Sequence, residues 1–256
     1  MRKAIVLSAA VVLSAAAMAG AEDKKLGVTF DLMYMSKYMT KGAEGYGQQG
    51  GLWETVKFDL WGTGLGVGVG HQGAISSGYV NSQRLNHMVY YANTLFDGTP
   101  FKTEYKLNWI YKHYYGRARN IGNTQNWIFS FSWPDILPVK NLAPYYIADY
   151  EHPAGSGYVN RRISGFVHVF GLGYDLTVPE LPNPLRLSGD ISYRDGFGGG
   201  TVDHDWSHAT LGISTKLDIN KNTSFHPGVY HQLSMDDSVA KRDITYAVLS
   251  LRYKFK

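Results

Sequence analysis

Hydrophobic and polar residues alternate with a period of two along most of the chain after residue 21. Near the C-terminus, for example, Leu249, Leu251 and Tyr253 alternate with Ser250 and Arg252. Successive side chains of a β-strand point to opposite faces, so this period predicts strands with one apolar and one polar face. No segment after residue 21 has a convincing helical period, and the pattern therefore predicts an all-β protein.

The alternation predicts about twelve strands. The fourth segment alternates poorly, and the sequence leaves its facing open. The predicted segments cover residues 27–38, 53–61, 65–71, 85–96, 101–113, 127–133, 143–152, 163–176, 185–194, 209–218, 223–233 and 245–256.

Two kinds of connection alternate between these segments. Residues 62–64, 97–100 and 219–222 carry the Gly, Asn and Asp chemistry of tight turns, and residues 134–138 and 179–184 form longer Pro-rich connections. Polar, Gly-rich loops lie between them. Short turns that alternate with long loops are typical of a closed, up-and-down antiparallel transmembrane β-barrel, whose two termini lie on the turn side.

The aromatic content of 14% makes the apolar faces too large for one small core. A barrel with its apolar face in lipid and its polar face around water accommodates them, and closure leaves no unpaired strand edge in hydrocarbon. Aromatic residues at strand ends are then expected to form interfacial belts. The alternative is a secreted, soluble β-sandwich or lipocalin-like barrel. The belt candidates are Trp53, Trp61, Trp109, Tyr111, Trp127, Trp133, Tyr193 and Tyr253.

The N-terminus predicts a cleaved signal peptide over residues 1–21. Arg2 and Lys3 precede an apolar run that is followed by small residues, and the run is shorter than the ~20 residues of a spanning helix. The barrel is expected to occupy residues 22–256. The chain has no cysteine, so neither a disulfide nor a thiol nucleophile contributes. The formal charge of +4 does not indicate nucleic-acid binding.

Charged residues on the polar faces are the candidate pore lining. Alternation assigns nine basic and seven acidic residues to the lumen, including Lys37, Lys112, Glu151 and Asp218, and this near balance predicts weak ion selectivity. The alternative is that these charges pair and plug the barrel. The preferred pore-lining candidates are Asp31, Lys57, Asp59, Lys102, Glu104, Lys106, Asp149, Arg186, Asp190, Arg194, Lys216 and Arg252.

Three local motifs point only weakly to other chemistry. His152 with Ser156 and Asn160 has the residue types of a hydrolase triad, but its spacing places it in a flexible loop. A segment from Asp203 to His208 holds metal-competent side chains, and a hydrated loop is the simpler interpretation. The Gly-rich segment at 62–70 lacks the Lys and Ser or Thr of a phosphate loop, so Gly66, Gly68 and Gly70 are interpreted as lumen-facing residues that leave room for neighbours. No catalytic, cofactor or metal site is predicted.

Three segments resemble the TorF-like family of porins. They are TFDLMYMSKYMTKGAEGYGQQGGL, FDLWGTGLGVGV and HATLGISTKLDINKNTSFHPGVYHQLS, which lie toward both ends of the mature chain. The last residues also resemble the C-terminal signal of outer-membrane barrels, although Lys256 follows the usual terminal aromatic residue. The resemblance implies an outer-membrane barrel and a channel, and it carries over no functional residue.

The sequence therefore predicts a porin-like channel of the bacterial outer membrane for passive diffusion of small hydrophilic solutes or ions. The expected partners are the lipid bilayer, the barrel-assembly machinery and the solutes, with the chain as a monomer or a trimer. The alternatives are a non-conducting structural or surface-binding barrel and, less favoured, an outer-membrane hydrolase.

Overall fold

The computed structural model describes residues 25–115, 122–155, 164–197 and 204–255. The predicted signal peptide lies outside these residues. In the described part of the chain, no helix is long and apolar enough to cross a membrane, a finding that concerns helices alone and has no bearing on strands.

Twelve long antiparallel strands, β1 to β12, form one continuous sheet. Each strand pairs with its neighbour in sequence, and β1 also pairs with β12, so the sheet closes into an up-and-down barrel. This confirms the predicted fold and strand number. The strands in order are Gly27–Met35, Gly51–Asp59, Leu65–Ala74, Arg84–Leu95, Thr103–Tyr114, Thr124–Ser132, Leu142–Pro153, Gly165–Leu176, Leu185–Asp195, Asp205–Thr215, Thr223–Ser234 and Ile244–Phe255.

The interior of the barrel is polar and its exterior is apolar. Leu211 and Phe170 are 55% and 46% exposed, whereas Asn126 and Gln232 are 1% and 2% exposed. A water-soluble protein has the opposite arrangement, because apolar burial drives its folding. The inversion matches a barrel that spans a membrane around a polar lumen.

The pairing register settles the facing of β4, which the sequence left open. His87 lies opposite Val69 and Val89 opposite Val67, so Leu85, His87 and Val89 face outward. Arg84 consequently faces the lumen on the same strand.

β10 begins earlier than predicted. It starts at Asp205 instead of Ala209, so Asp205, which was expected in a loop, and Trp206 both belong to the strand. A register shift beside Ser192 and Tyr193 inserts Ser207 as an extra residue. This bulge turns His208 into the lumen, while Trp206 packs outside against Tyr193 with ring centroids 5.3 Å apart.

Inward-facing glycines receive aromatic rings from neighbouring strands. A Cβ at Gly66 would lie 2.1 Å from Cζ of Tyr90, and one at Gly171 would lie 2.1 Å from Cζ of Tyr145. The missing side chains therefore allow the rings to lie flat against the barrel wall, instead of projecting across the lumen.

We expect Gly66→Ala to destabilise the barrel by about 1–3 kcal/mol, because an added Cβ must displace the Tyr90 ring. Equilibrium urea unfolding in lipid vesicles measures the change. Gly78→Ala is the matched control, because a Cβ there meets no atom within 4 Å. Adding Tyr90→Ala to Gly66→Ala should recover part of the lost stability, because the Tyr90 ring is then absent. Equal stability of Gly66→Ala and Gly78→Ala would contradict the packing of Tyr90 against Gly66.

Candidate functional site

Loop 36–50, the segment of residues 36–50 between β1 and β2, folds into the lumen. Met39–Thr40 pairs with Ala43–Glu44, and the connecting residues Lys41 and Gly42 have φ values of 49° and 82°. Positive φ at both central residues is the geometry of the tightest hairpin turns. The loop therefore carries a small hairpin whose tip is Lys41 and Gly42.

The hairpin tip docks on the far wall of the barrel. Arg194 of β9 donates a hydrogen bond of 2.7 Å to the carbonyl of Lys41, and Gln232 of β11 donates one of 2.7 Å to the carbonyl of Gly42. A Cβ at Gly42 would lie 2.2 Å from Nδ1 of His208, so only glycine fits against this wall. Loop 36–50 consequently spans the lumen from β1 and β2 to β9, β10 and β11.

The ammonium group of Lys41 contacts two carboxylates of β7. Its Nζ lies 3.1 Å from both Asp149 and Glu151. Glu151 also contacts Lys112 at 3.0 Å and accepts a hydrogen bond of 2.7 Å from Thr124. Burial lowers the pKa of Lys41, and the two carboxylates oppose that shift. This network fastens the hairpin by charge as well as by backbone contacts.

Aromatic residues hold the base of loop 36–50. The rings of Tyr38 and Tyr46 stack with centroids 4.5 Å apart, and Trp53 packs against Tyr38 at 5.1 Å. Trp53 was expected in an outer aromatic belt, and this prediction is wrong. Its position in β2 faces the lumen, where the loop covers it.

A group of charges on the β1 side of the lumen, here called the basic cluster, contains Asp31, Lys57, Lys106 and Arg252. Asp31 pairs with Lys57 at 2.8 Å and with Arg252 at 2.6 Å. Lys106 lies over the ring of Tyr90 at 4.7 Å, and no carboxylate of the described residues forms an ion pair with it. The cluster thus holds three cations and one anion.

The turn-side half of the lumen is hollow. Cavities of about 580, 490 and 610 Å³ share Arg186 as a lining residue. The first is also lined by Lys106 and Glu104, and the second by Lys216 and Arg252. Water and small solutes therefore have room beneath loop 36–50.

The twelve predicted pore-lining residues occupy different levels of the barrel. Asp149 and Arg194 contact loop 36–50, and four others form the basic cluster. Glu104, Arg186 and Asp190 lie within strands in the turn-side half of the lumen. There Arg186 pairs with Asp175 at 3.0 Å. The remaining three, Asp59, Lys102 and Lys216, lie at or beside the tight turns.

Sequence reasoning missed the residues that join the loop to the wall. Lys41 was assigned to an external loop, and Arg84 was unassigned because β4 alternates poorly. Gly42 at the second position of the turn was the available signal for the hairpin, but Lys41 before it is not one of the residues that favour such turns. Nothing in the linear pattern indicated where that hairpin would dock.

The other candidate chemistry gains little from the structure. His152 lies at the loop-side end of β7, and its Nδ1 is 2.9 Å from the carbonyl oxygen of Pro153. Ser156 and Asn160 lie outside the described residues. His204 pairs with Asp195 at 2.8 Å, and Asp203 is likewise outside that part of the chain. Among the residues described, no group of three or more His, Asp or Glu side chains could hold a metal ion.

Comparison with known proteins relates the chain to outer-membrane barrels by structure alone. No family model and no curated protein matches its sequence. The COG4313 outer membrane channel from Pseudomonas putida F1 is similar, with a TM-score of 0.50 and 8% identity over 90% of this chain and 94% of that chain. The NanC porin aligns with a TM-score of 0.49 and 10% identity over 90% of this chain and 100% of that chain.

Outer membrane phospholipase from Salmonella typhi aligns less well. Its TM-score is 0.44 and its identity 12%, over 88% of this chain and 90% of that chain. At such identities the likeness concerns the fold. The chain therefore has the fold of a bacterial outer-membrane β-barrel, and its apolar exterior belongs in that membrane.

The absence of native cysteine allows a direct test of side-chain facing. We expect Lys106→Cys, which faces the lumen, to react quickly with a charged, water-soluble thiosulfonate in proteoliposomes. Leu107→Cys, the neighbour that faces lipid, should react at least roughly tenfold more slowly, because thiolate formation needs water. Mass spectrometry of the labelled protein measures both rates, and equal rates would exclude the assigned facing.

Proposed function

We propose that the protein is an outer-membrane channel for passive diffusion of small hydrophilic solutes, with a preference for anions. The hollow, charged lumen beneath loop 36–50 is the observation that carries this proposal. Three of its cavities share Arg186 as a lining residue and carry further polar and charged side chains. The proposal includes no enzymatic activity, no cofactor and no nucleic-acid partner.

The distribution of paired charges supports an anion preference. Arg186 is neutralised by Asp175, Lys216 by Asp218, and Lys102 by Asp97 and Glu104. The basic cluster retains an excess of positive charge around Lys106. Asp190, which accepts a hydrogen bond of 2.9 Å from Tyr145, offsets only part of it. Uncompensated charge in a narrow aqueous pore sets ion selectivity. The near balance of basic and acidic residues alone predicted weak selectivity, whereas the local excess of positive charge around Lys106 favours anions.

A second candidate function follows from loop 36–50 itself. A loop that spans the lumen and is fastened by the ion pairs of Lys41 with Asp149 and Glu151 is also what a closed, non-conducting barrel would contain. In that case the long external loops, rather than the lumen, would meet a partner. The two functions differ in whether current crosses a bilayer that contains the folded protein.

The channel is tested by refolding the chain into a planar bilayer and recording current in a KCl gradient. Discrete conductance steps with a reversal potential on the anion side are expected. Lys106→Glu should move that potential toward cations, because it converts three cations and one anion into an even balance. Lys102→Glu should move it less, since two carboxylates already accompany Lys102 at the turn. Absence of current from protein shown to be folded would favour the closed barrel.

Loop 36–50 is expected to limit the conductance. Lys41→Met removes one partner of a buried ion network, a loss of about 3–5 kcal/mol, and should release the hairpin tip and raise the single-channel conductance. Lys37→Met is the matched control, because Lys37 lies in the same loop and forms no ion pair with a described residue. An identical conductance in both variants would show that the hairpin does not set the pore width.

A further inference from the structure

We propose an anion-binding subsite in the outer half of the lumen, in which Arg84 and Arg194 hold the carboxylate, phosphate or sulfate group of a small solute. The subsite is a cavity of about 390 Å³ between loop 36–50 and the barrel wall. The inference rests on the proposed channel function for its biological meaning, but the binding itself does not require conduction.

The charges around this cavity do not cancel. Lys41, Lys112, Arg84 and Arg194 line it, and Glu151 is the acidic residue among its lining. Glu151, together with Asp149, is engaged by the two lysines at 3.0–3.1 Å. Two carboxylates therefore face two ammonium groups, and neither guanidinium group forms an ion pair with a carboxylate of the described residues.

Arg84 contacts only uncharged acceptors within the described residues. It donates hydrogen bonds of 2.7 Å to the hydroxyl of Tyr114 and 2.6 Å to Oε1 of Gln72, and a longer one of 3.4 Å to Tyr38. Its Nε is buried, and no described residue forms a hydrogen bond with it. A buried cation satisfied only by neutral groups favours an incoming anion, because ion pairing then offsets the cost of its desolvation.

Arg194 of β9 lines the same cavity, and it too forms its hydrogen bond with an uncharged acceptor. It is 7% exposed, and it donates to the carbonyl of Lys41 and lies 5.2 Å from the ring of Phe197. Its Nε is also buried, and it forms no hydrogen bond with the part of the chain that the structure describes. Asp236 attracts it from beyond ion-pair distance. No described carboxylate forms an ion pair with either arginine.

The lining determines what class of solute fits. A guanidinium presents parallel N–H donors that match the two oxygens of a carboxylate or phosphate. The hydroxyls of Tyr38, Tyr114 and Thr40 add neutral polar contacts beside the cations. The cavity therefore suits a small, hydrated oxyanion, and it disfavours a cation or an apolar molecule.

Isothermal titration calorimetry of the full-length folded protein in detergent, with inorganic phosphate at constant ionic strength, tests the subsite. Saturable binding is expected, and chloride at the same ionic strength should give no comparable heat. Arg84→Gln and Arg194→Gln should each weaken binding by at least roughly tenfold, because hydrogen bonds to a charged group are lost. Lys241→Gln, an exposed basic residue at the same end, should leave the affinity unchanged.

Two further comparisons keep the outcome decisive. If a glutamine variant fails to fold, Arg84→Lys and Arg194→Lys retain the charge but lose the forked donors, and they should bind severalfold more weakly than the unaltered chain. Equal affinity in all arginine variants, or no saturable binding, overturns the subsite. Binding without bilayer current would retain the subsite and reject the channel, and current without binding would do the reverse.

Discussion

Pairing between the first and last strands is the constraint on which the rest of the structure depends. β1 and β12 align from Val28 opposite Phe255 to Met35 opposite Val248, and this ladder removes both edges of the sheet. Each unpaired backbone group in hydrocarbon would cost several kcal/mol, so a sheet in a membrane is stable only when closed. Closure also assigns a face to every residue, because a shift of one position would move each apolar side chain from lipid to water.

A closed, inverted barrel must satisfy polar groups inside rather than outside. Buried charges in such an interior are stable when they are paired and hydrogen-bonded. Loop 36–50 helps to meet that requirement, since Lys41 supplies a cation to Asp149 and Glu151, and the wall in return supplies donors to the backbone of the hairpin. The loop is thus part of the interior, although it connects two strands at the rim.

The distribution of ion pairs divides the lumen into two chemically different halves, one around the hairpin and one toward the tight turns. Around the hairpin the lysines and carboxylates neutralise one another, whereas Arg84 and Arg194 form no ion pair with any carboxylate in the described part of the chain. Toward the turns the lumen holds the larger cavities, and there Lys106 forms no ion pair with a described carboxylate, in a cluster that Asp31 only partly compensates. A negatively charged solute would meet uncompensated cations at both levels, which links the proposed subsite with the proposed selectivity.

The sequence by itself determined the strands, the closed barrel and the facing of most residues in the regularly alternating strands, because these follow from a local period of two and from the alternation of turns and loops. It also placed Asp31, Lys57, Lys106 and Arg252 on the polar face, since each lies in a regularly alternating strand. Only the tertiary structure decided the position of the hairpin, the inward facing of Arg84 and Trp53, and the identity of each ion pair. Those features depend on contacts between residues distant in sequence, such as Gly42 with Gln232, and a local pattern contains no information about which distant partners will meet.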